Sequence, residues 1–589
     1  MWAGFDPRAE PLEIEILKKW EEDDVIMRVL RYRIGIFKGQ KAMMAAIYGF
    51  PKGAVDMPGL VQIHGGGQYA DYRAVLTNAK RGYATISISW AGRINAPDYR
   101  VTPKEVKLFW DDAKDDPNYK VTTDWGALDG YHAPSRNPKN AFAHVKPAAW
   151  TLDTVDSPRN NPWFLCCLGA RRAITFLERQ PEVDADKLGV YGHSMGGKLT
   201  VLTAAADNRL KAASPSCGGI SNRGTDNALY EATIADGVNL KHVRLPIIFL
   251  SPSNDFHGRI GDLPKSIAET GGQPWRVTCS PHASHRDHAA FQITGLLWFD
   301  QYLKGTFRYP ETPKTLLTLK TDSGIPSFSV QPDSSKPIRS VEIYYTQHGQ
   351  PEGEKNDREN TKSRFWRHAT PIKHSGSWTA NLPLVNTNKP LWVYANVLYA
   401  LQKPQSGAGY YYAPYTAETF NLSSLVQIVT PEALQAAGVN ATVSPSQIIE
   451  SFQEGWEKEW FTYDLDHWSC RTHKVYDEQW HTTEDSWLAF DVRATQANAL
   501  VVGIDGYASE IEVSGDDAWQ TVQLTKNNFK DAANKTLTQW AGIRQLRFTD
   551  KDSLRIKARG DQEEHRRSLG TPWKGPKPTF RNLRWIRKP

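Results

Sequence analysis

The stretch KLGVYGHSMGGKLTVLTAAA, residues 187–206, places a glycine-rich turn between an apolar strand-like run and an apolar helix-like run. Its turn has the spacing G-x-S-x-G, in which a serine stands on a tight bend where a buried strand passes into a helix. Such a bend is strained, and side chains at Gly192 or Gly196 would clash with the neighbouring strand and helix. The stretch therefore predicts a strand–turn–helix unit that presents Ser194 as a nucleophile.

Short apolar runs alternate with helical segments around this unit. Continuous runs of this kind are typical of parallel strands buried on both faces, and they are LVQIH (60–64), YATISISW (83–90), LPIIFLS (245–251) and WRVTCSP (275–281). A helix predicted over 162–180 directly precedes the Ser194 strand, as a right-handed crossover requires. Residues 1–50 alternate like antiparallel strands. We predict one α/β domain over residues 1–308.

A nucleophilic serine needs a base, and the base needs an acid that orients it. In this type of domain the chain order is serine, acid, histidine. Asp255 comes just after the strand LPIIFLS and is the predicted acid, with Asp262 as the alternative. The segment SPHASHRDH follows the strand WRVTCSP, and we predict His285 as the base, with His282 and His288 as alternatives.

A second glycine-rich segment, HGGGQY (64–69), lies at the end of an early strand. Glycines at this place let the backbone approach a substrate closely and supply one donor of an oxyanion hole. The other donor is the backbone N–H of Met195, at the start of the helix that follows the serine. We predict Gly66 as the partner of Met195, with Gly65 and Gly67 as alternatives.

Residues 97–160 interrupt the α/β pattern with a long polar and aromatic segment. Long irregular segments inside a compact domain are usually functional. We interpret this one as an insertion or lid that binds substrate. Its candidate substrate-binding residues are Trp110, Trp125, Tyr131 and His132.

The second half of the chain has a different pattern. At 589 residues the chain exceeds the size of a single core, roughly 250–300 residues. Alternating strands and turn residues predict a small β-sandwich over 309–428, and a further all-β stretch over 462–589 predicts a jelly-roll-like domain. Between them we predict a helical linker over 429–461. Removing 462–589 is expected to spare the hydrolysis of small esters, unless that domain packs on the first one and closes its cleft.

Charge and cysteine content exclude several classes of protein. The net charge is +6, and residues 555–589 hold eleven Lys and Arg against three Asp and Glu. No nucleic-acid motif accompanies this basic segment, so we expect a solvated surface and no nucleic-acid partner. Five cysteines without paired spacing predict neither a disulfide framework nor a zinc site. No run approaches 18 apolar residues, which excludes a membrane-spanning helix.

The motifs HGGG (64–67), GHSMGG (192–197), SNDF (253–256) and SPHASHRDH…WFDQYLKG (280–305) together resemble the acetylxylan esterase and dienelactone hydrolase branch of the α/β-hydrolases. The resemblance covers about residues 40–305. It implies an α/β-hydrolase fold, a nucleophile at Ser194, an acid at Asp255, a base at His285, and no metal or organic cofactor. The fold class predicted for the whole chain is this α/β-hydrolase fold followed by the β-sandwich and the jelly-roll-like domain. The C-terminal stretch is similar to carbohydrate-associated jelly rolls.

These features predict a serine esterase that removes acyl groups, in the first place acetyl, from a polysaccharide or oligosaccharide. The alternatives are a prolyl-oligopeptidase-like peptidase, a glucuronoyl esterase and a carbohydrate-binding protein with an inert hydrolase domain. Since the chain starts without a basic and apolar leader, we expect a periplasmic or extracellular protein whose signal peptide is absent here, with a cytoplasmic one as the alternative.

Overall fold

The computed structural model describes residues 1–2, 4–125, 145–224, 227–350, 358–408, 413–464, 467–557 and 563–587. The strands of the first part are β1 (Glu15–Glu22), β2 (Val25–Phe37), β3 (Gln40–Pro51), β4 (Met57–Ile63), β5 (Ala70–Asp71), β6 (Ala84–Ile88), β7 (Ile94–Ala96), β8 (Tyr99–Val101), β9 (Val183–His193), β10 (Leu210–Ser216), β11 (Ile247–Leu250) and β12 (Trp275–Thr278). Its helices are α1 (Tyr72–Lys80), α2 (Pro103–Trp110), α3 (Pro162–Glu178), α4 (Met195–Ala206), α5 (Ala228–Thr233), α6 (Asp236–Leu240), α7 (Leu263–Glu269) and α8 (Ala289–Phe299).

One large sheet organises this part, in the order β1-β2-β3-β6-β4-β9-β10-β11-β12. The strands β1 to β3 pair antiparallel, and β6, β4, β9, β10, β11 and β12 pair parallel. Helices α3 and α4 pack in a common core on one face, whereas α1 and α8 belong to cores on the other. The predicted α/β-hydrolase-like domain is thereby confirmed, including the antiparallel start.

Strand β10 was not predicted from the sequence. Its residues, LKAASPS, include only one large apolar side chain, so the segment lacks the apolar run that marked the other strands. In the sheet it lies between β9 and β11, and small side chains fit this position because α4 and α8 cover it on both faces.

The middle β-region follows, from 314 to 429. Its sheets run in the orders β13-β14-β18-β17 and β16-β15-β19-β20, with β21 paired to β19. It shares a hydrophobic core with α8, where Trp298 packs near Tyr309 and Phe420. The elements are β13 (Lys314–Thr318), β14 (Ser327–Gln331), β15 (Ile338–Thr346), α9 (Arg358–Ser363), β16 (Arg367–Ala369), β17 (Ile372–His374), β18 (Ser377–Asn381), β19 (Leu391–Ala408), β20 (Pro414–Ser423) and β21 (Gln427–Val429).

The predicted helical linker over 429–461 differs from the structure. This segment contains one short helix, α10 (Pro431–Ala436), a strand, β22 (Ile448–Glu450), and a single 3₁₀ turn at Trp456–Glu459, within the described residues. The helix ends where Gly438 adopts a φ of 73°, a left-handed conformation that stops helices. The rest of the segment has little regular secondary structure.

The C-terminal β-region spans 448–587, and its sheets run in the orders β22-β31-β24-β27 and β23-β28-β25-β26, with a hairpin β29-β30. Trp480, Trp540 and Trp585 are buried in its core. Its sandwich or jelly-roll topology stays a prediction. The remaining strands are β23 (Cys470–Thr472), β24 (Ser486–Arg493), β25 (Asn498–Ile504), β26 (Tyr507–Val513), β27 (Gln520–Leu524), β28 (Leu546–Thr549), β29 (Lys551–Ile556), β30 (His565–Gly570) and β31 (Thr579–Arg587). Among the described residues, no helix is long and apolar enough to cross a bilayer.

Candidate active site

Ser194 stands on the turn between β9 and α4, as the glycine pattern predicts. Its backbone has φ 60° and ψ −120°, a conformation that costs energy for any residue with a side chain. Part of this cost is offset because the N–H of Ser194 donates to the carbonyl oxygen of Ser216 at 2.8 Å. The side chain is half-buried, so the turn presents the hydroxyl at the carboxyl end of the sheet.

The glycines of the turn are required by close backbone contacts. A Cβ added at Gly192 would stand 2.5 Å from the carbonyl oxygen of Ile63, and one at Gly196 would be closer still to the same atom. A Cβ at Gly197 would collide with the carbonyl oxygen of Ser216. Because these obstacles are backbone atoms, no side chain can move away to make room. The turn can therefore form only with glycine at these places.

His285 connects Ser194 to Asp255. Its Nε2 lies 2.7 Å from Oγ of Ser194, in position to accept the hydroxyl hydrogen. Its Nδ1 lies 2.7 Å from Oδ2 of Asp255, to which it can donate. The structure thus brings the predicted nucleophile, base and acid into one hydrogen-bonded chain, with the geometry that general-base catalysis by an acid-oriented histidine requires.

The alternative histidines do not take part in this chain. His282 donates from Nε2 to the carbonyl oxygen of Lys458 at 3.1 Å, and burial lowers its pKa to about 4. His288 forms the N-cap of α8, and burial, helped by the charge of Arg286, lowers its pKa to about 4 as well. Both rings are therefore neutral at ordinary pH and stand apart from Ser194.

The environment of Asp255 keeps this carboxyl group ionised. Its side chain is fully buried, which by itself raises the pKa. His285 opposes this effect through its charge and its hydrogen bond, and the N–H of Gly258 adds a further hydrogen bond. Together they more than offset burial and hold the pKa of Asp255 well below its usual range. Its Oδ1 also accepts the N–H of His257 at 2.7 Å. The alternative acid, Asp262, instead pairs with Arg259 at 2.9 Å.

Apart from the ionised Asp255, the side chains described here around His285 are neutral. The ring of Phe256 lies 4.6 Å away between centroids, that of His193 at 5.0 Å and that of His257 at 5.9 Å. Burial, and then the proximity of His285, lowers the pKa of both neighbouring histidines. The donor atoms of Cys217, Asp255 and His285 lie within 4.8 Å of one another. Burial raises the pKa of Cys217 far above its usual value, so this neighbour stays a neutral thiol.

The glycine loop offers one of its predicted donors. The N–H of Gly65 already donates to Oε1 of Gln68 at 2.7 Å, so the prediction of Gly65 as an oxyanion donor is not supported. Gly66 is half-exposed, and Met195 is the first residue of α4, where a helical N–H has no partner within the helix. His64 is fully buried and stacks on Trp90 at 5.1 Å, as expected of a structural residue.

The predicted substrate-binding residues fall into two groups. Trp125 is 6% exposed and packs against Phe37 and Trp150, with centroids 5.9 and 5.3 Å away. Trp110 is half-buried and donates from Nε1 to the carbonyl oxygen of Thr123 at 3.4 Å. These contacts place both tryptophans in the packing of the α/β domain. Tyr131 and His132 lie outside the described residues.

A small cavity of about 40 Å³ lies behind the turn, at the carboxyl ends of β4, β9, β10 and β11. His193 and Ser216 line it from the large sheet, Gln292 from α8 and Tyr415 from the middle β-region. Neither Ser194 nor His285 lines it, so this cavity does not open directly on the reacting hydroxyl.

Part of the chain matches a known protein family. Residues 165–286 match the Dienelactone hydrolase family. This confirms the resemblance drawn from the motifs, over a stretch that holds Ser194, Asp255 and His285. The dienelactone hydrolase segment begins inside α3 and ends within the loop after β12. No curated protein sequence matches the chain.

Among solved structures, an acetyl xylan esterase from Paenibacillus sp. R4 aligns with the chain at 16% identity and a TM-score of 0.38, covering 50% of this chain and 91% of that one. Acetyl xylan esterase 1 from Thermoanaerobacterium sp. JW/SL YS485 has 16% identity and a TM-score of 0.35, covering 50% and 88%. A glucuronoyl esterase from Solibacter usitatus has 12% identity and a TM-score of 0.31, covering 47% and 83%.

No local sequence pattern predicted the residues that hold the loops of Asp255 and His285 from outside the α/β domain. Trp366 donates from Nε1 to Oδ1 of Asn254, the neighbour of Asp255, at 2.8 Å. Tyr463 binds the backbone of Ser284, the neighbour of His285. These pairs are 112 and 179 residues apart in the chain, and no motif or periodicity links such distant positions.

Proposed function

We propose that this protein is a serine carboxylic-ester hydrolase that works through an acyl-enzyme. The hydrogen-bonded chain from Ser194 through His285 to Asp255, on a strained turn at the carboxyl end of the sheet, carries the proposal. The match of residues 165–286 to the Dienelactone hydrolase family supports the same reaction class.

In the proposed reaction, Oγ of Ser194 attacks the ester carbonyl carbon while its proton passes to Nε2 of His285. Asp255 holds the imidazole with Nδ1 protonated and stabilises the imidazolium that forms. The N–H groups of Met195 and Gly66 stabilise the tetrahedral oxyanion. His285 then protonates the departing alcohol. A water molecule, deprotonated by His285, hydrolyses the acyl-serine and releases the carboxylic acid.

We further propose acetyl groups on a polysaccharide or oligosaccharide as the substrate, outside the cytoplasm. The motif resemblance to the acetylxylan esterase branch supports this choice. A panel of acetylated xylan, a methyl glucuronate ester and a prolyl peptide tests it, and release of acetate from xylan as the fastest reaction is expected. Faster cleavage of the glucuronate ester or the peptide would replace this substrate while keeping the serine mechanism.

The serine mechanism itself is tested with Ser194→Ala. We expect kcat for 4-nitrophenyl acetate to fall by roughly 10³-fold or more, since only oxyanion binding would remain. Ser329→Ala makes the same exchange in β14, outside the α/β sheet, and serves as the matched control. Mass spectrometry after treatment with diethyl 4-nitrophenyl phosphate should locate one phosphoryl group on Ser194. A Ser194→Ala variant with near-normal turnover would refute the proposal.

A further inference from the structure

The loop that carries His285 is held in an unusual backbone conformation. It connects β12 to α8, and both His282 and His285 have positive φ, 57° and 54°. Left-handed backbone at a residue with a side chain costs energy, so it persists only when surrounding contacts fix it. Within the loop, the N–H of Ala283 donates to the carbonyl oxygen of Pro281 at 2.7 Å. The other contacts that fix the loop come largely from elsewhere in the chain.

Tyr463, in the C-terminal β-region, forms two hydrogen bonds with the loop next to His285. Its hydroxyl accepts the N–H of Ser284 at 2.8 Å and donates to the carbonyl oxygen of the same residue at 3.1 Å. The guanidinium groups of Arg286 and Arg471 lie 5.6 and 5.5 Å from the centre of the tyrosine ring. Burial raises the pKa of Tyr463, so the hydroxyl keeps the proton that it donates.

The bond to the Ser284 carbonyl acts directly on His285. That carbonyl and the N–H of His285 belong to one planar peptide unit, so fixing the oxygen fixes the plane from which the histidine backbone turns. The imidazole must hold 2.7 Å bonds to Ser194 and Asp255 at the same time. A displacement of about 1 Å in such a geometry can cost 10²-fold in rate.

Other contacts from the appended β-regions join the same two loops. The ring of His282 lies between Phe365 and Phe461, with centroids 6.1 and 6.2 Å away, while its Nε2 donates to the carbonyl oxygen of Lys458. On the acid side, Nδ2 of Asn254 donates to a backbone carbonyl of the middle β-region at 2.8 Å. The loops also bind each other, since the N–H of Asn254 donates to Ala283 at 3.0 Å.

We propose that Tyr463 is a positioning residue for His285, so that the C-terminal β-region completes the catalytic site of the α/β domain. This inference rests on the proposed roles of Ser194 and His285. It assigns the appended region a function in turnover, independent of any attachment to a polymer.

The test is Tyr463→Phe in the full-length chain, which removes one oxygen atom and keeps the ring. Tyr476→Phe is the matched control, because Tyr476 lies in the same C-terminal β-region and donates to Oδ1 of Asn360 in the middle β-region at 3.1 Å, without touching a catalytic loop. We measure kcat and KM for 4-nitrophenyl acetate, with active sites counted by titration with diethyl 4-nitrophenyl phosphate. The expected result is a kcat per titrated site at least tenfold lower in Tyr463→Phe, with KM within twofold.

The rate at which the phosphate labels Ser194 should fall in parallel, because His285 activates that attack too. The control should match the unmodified chain in both measurements. An unchanged kcat in Tyr463→Phe, or an equal loss in both variants, overturns the inference. Ser194→Ala is measured alongside to separate the serine mechanism from the positioning role. If Ser194→Ala is inactive while Tyr463→Phe has normal kcat, only the positioning role of Tyr463 is refuted.

Discussion

Asp255→Asn offers the sharpest test of how the buried carboxylate works. The two carboxylate oxygens have different partners: Oδ1 accepts the N–H groups of His257 and Gly258, and Oδ2 accepts Nδ1–H of His285. In the asparagine variant, the amide oxygen would keep the two backbone donors. The amide nitrogen would then face His285 and offer a second donor where an acceptor is needed.

The size of the defect follows from these contacts. Turning the amide around would restore an acceptor for His285 but would set the NH₂ against two backbone N–H groups, at ~1 kcal/mol for each lost hydrogen bond. The productive tautomer is therefore disfavoured by about 2 kcal/mol. Losing the charge that stabilises the imidazolium adds ~2–3 kcal/mol. Together these terms predict a fall in kcat of about 10³–10⁴-fold.

The assay is hydrolysis of 4-nitrophenyl acetate by Asp255→Asn, with sites counted by active-site titration. Asp262→Asn is the matched control, since Asp262 pairs with Arg259 and contributes nothing to His285. Its kcat should stay within about twofold of the unmodified chain, as expected for a substitution away from the reacting groups. A kcat above a tenth of normal in Asp255→Asn would refute the tautomer argument.

Two further predictions concern the appended β-regions. Burial raises the pKa of Asp477, but His348 and Arg367 more than offset this and lower the pKa to about 2. The interactions of the ionised Asp477 with these two residues therefore stabilise the fold above the usual carboxyl pKa, and this stabilisation is lost as the pH falls towards 2. Asp477→Asn should reduce the free energy of unfolding at pH 7 by ~2 kcal/mol and flatten its decline between pH 5 and 3 in denaturant titrations; an unchanged acid profile would contradict this. Removing residues 462–589 should lower kcat for 4-nitrophenyl acetate at least tenfold, because Tyr463 is lost with this segment; full activity of a folded truncation, checked by gel filtration, would contradict this prediction.

The candidate triad of Ser194, Asp255 and His285 could be predicted because the signals of these residues are local. The glycines around Ser194 are dictated by backbone collisions, and Asp255 and His285 each follow a strand with a clear apolar run. Of the three candidate histidines, the structure places His285 between Ser194 and Asp255. Only the three-dimensional structure shows why the other two histidines are elsewhere: His282 is bound by the C-terminal β-region, and His288 is the N-cap of α8.

Other features could not be read from the sequence because they depend on distant partners. Nothing in the glycine loop reveals that Gln68 occupies the N–H of Gly65. Trp125 reads as a binding residue in a polar segment, yet it packs in a core. For the truncation of residues 462–589, the structure favours the alternative in which this region packs on the α/β domain, since Tyr463 contacts the loop of His285 across 179 residues of chain.

The two edge strands of the large sheet, β12 and β1, are protected from pairing with a further strand in different ways. At one end, β12 lies against β20 of the middle β-region, and the N–H of Cys279, just beyond β12, donates to Oγ of Ser423 at 2.8 Å. At the other end, β1 has the sequence EILKKWEE and faces solvent over much of its length. Lysines and glutamates along an open strand keep a second molecule from adding its own strand there, because association would bury their charges. The nine-stranded sheet of the described chain can therefore end at β1 without exposing a template for aggregation.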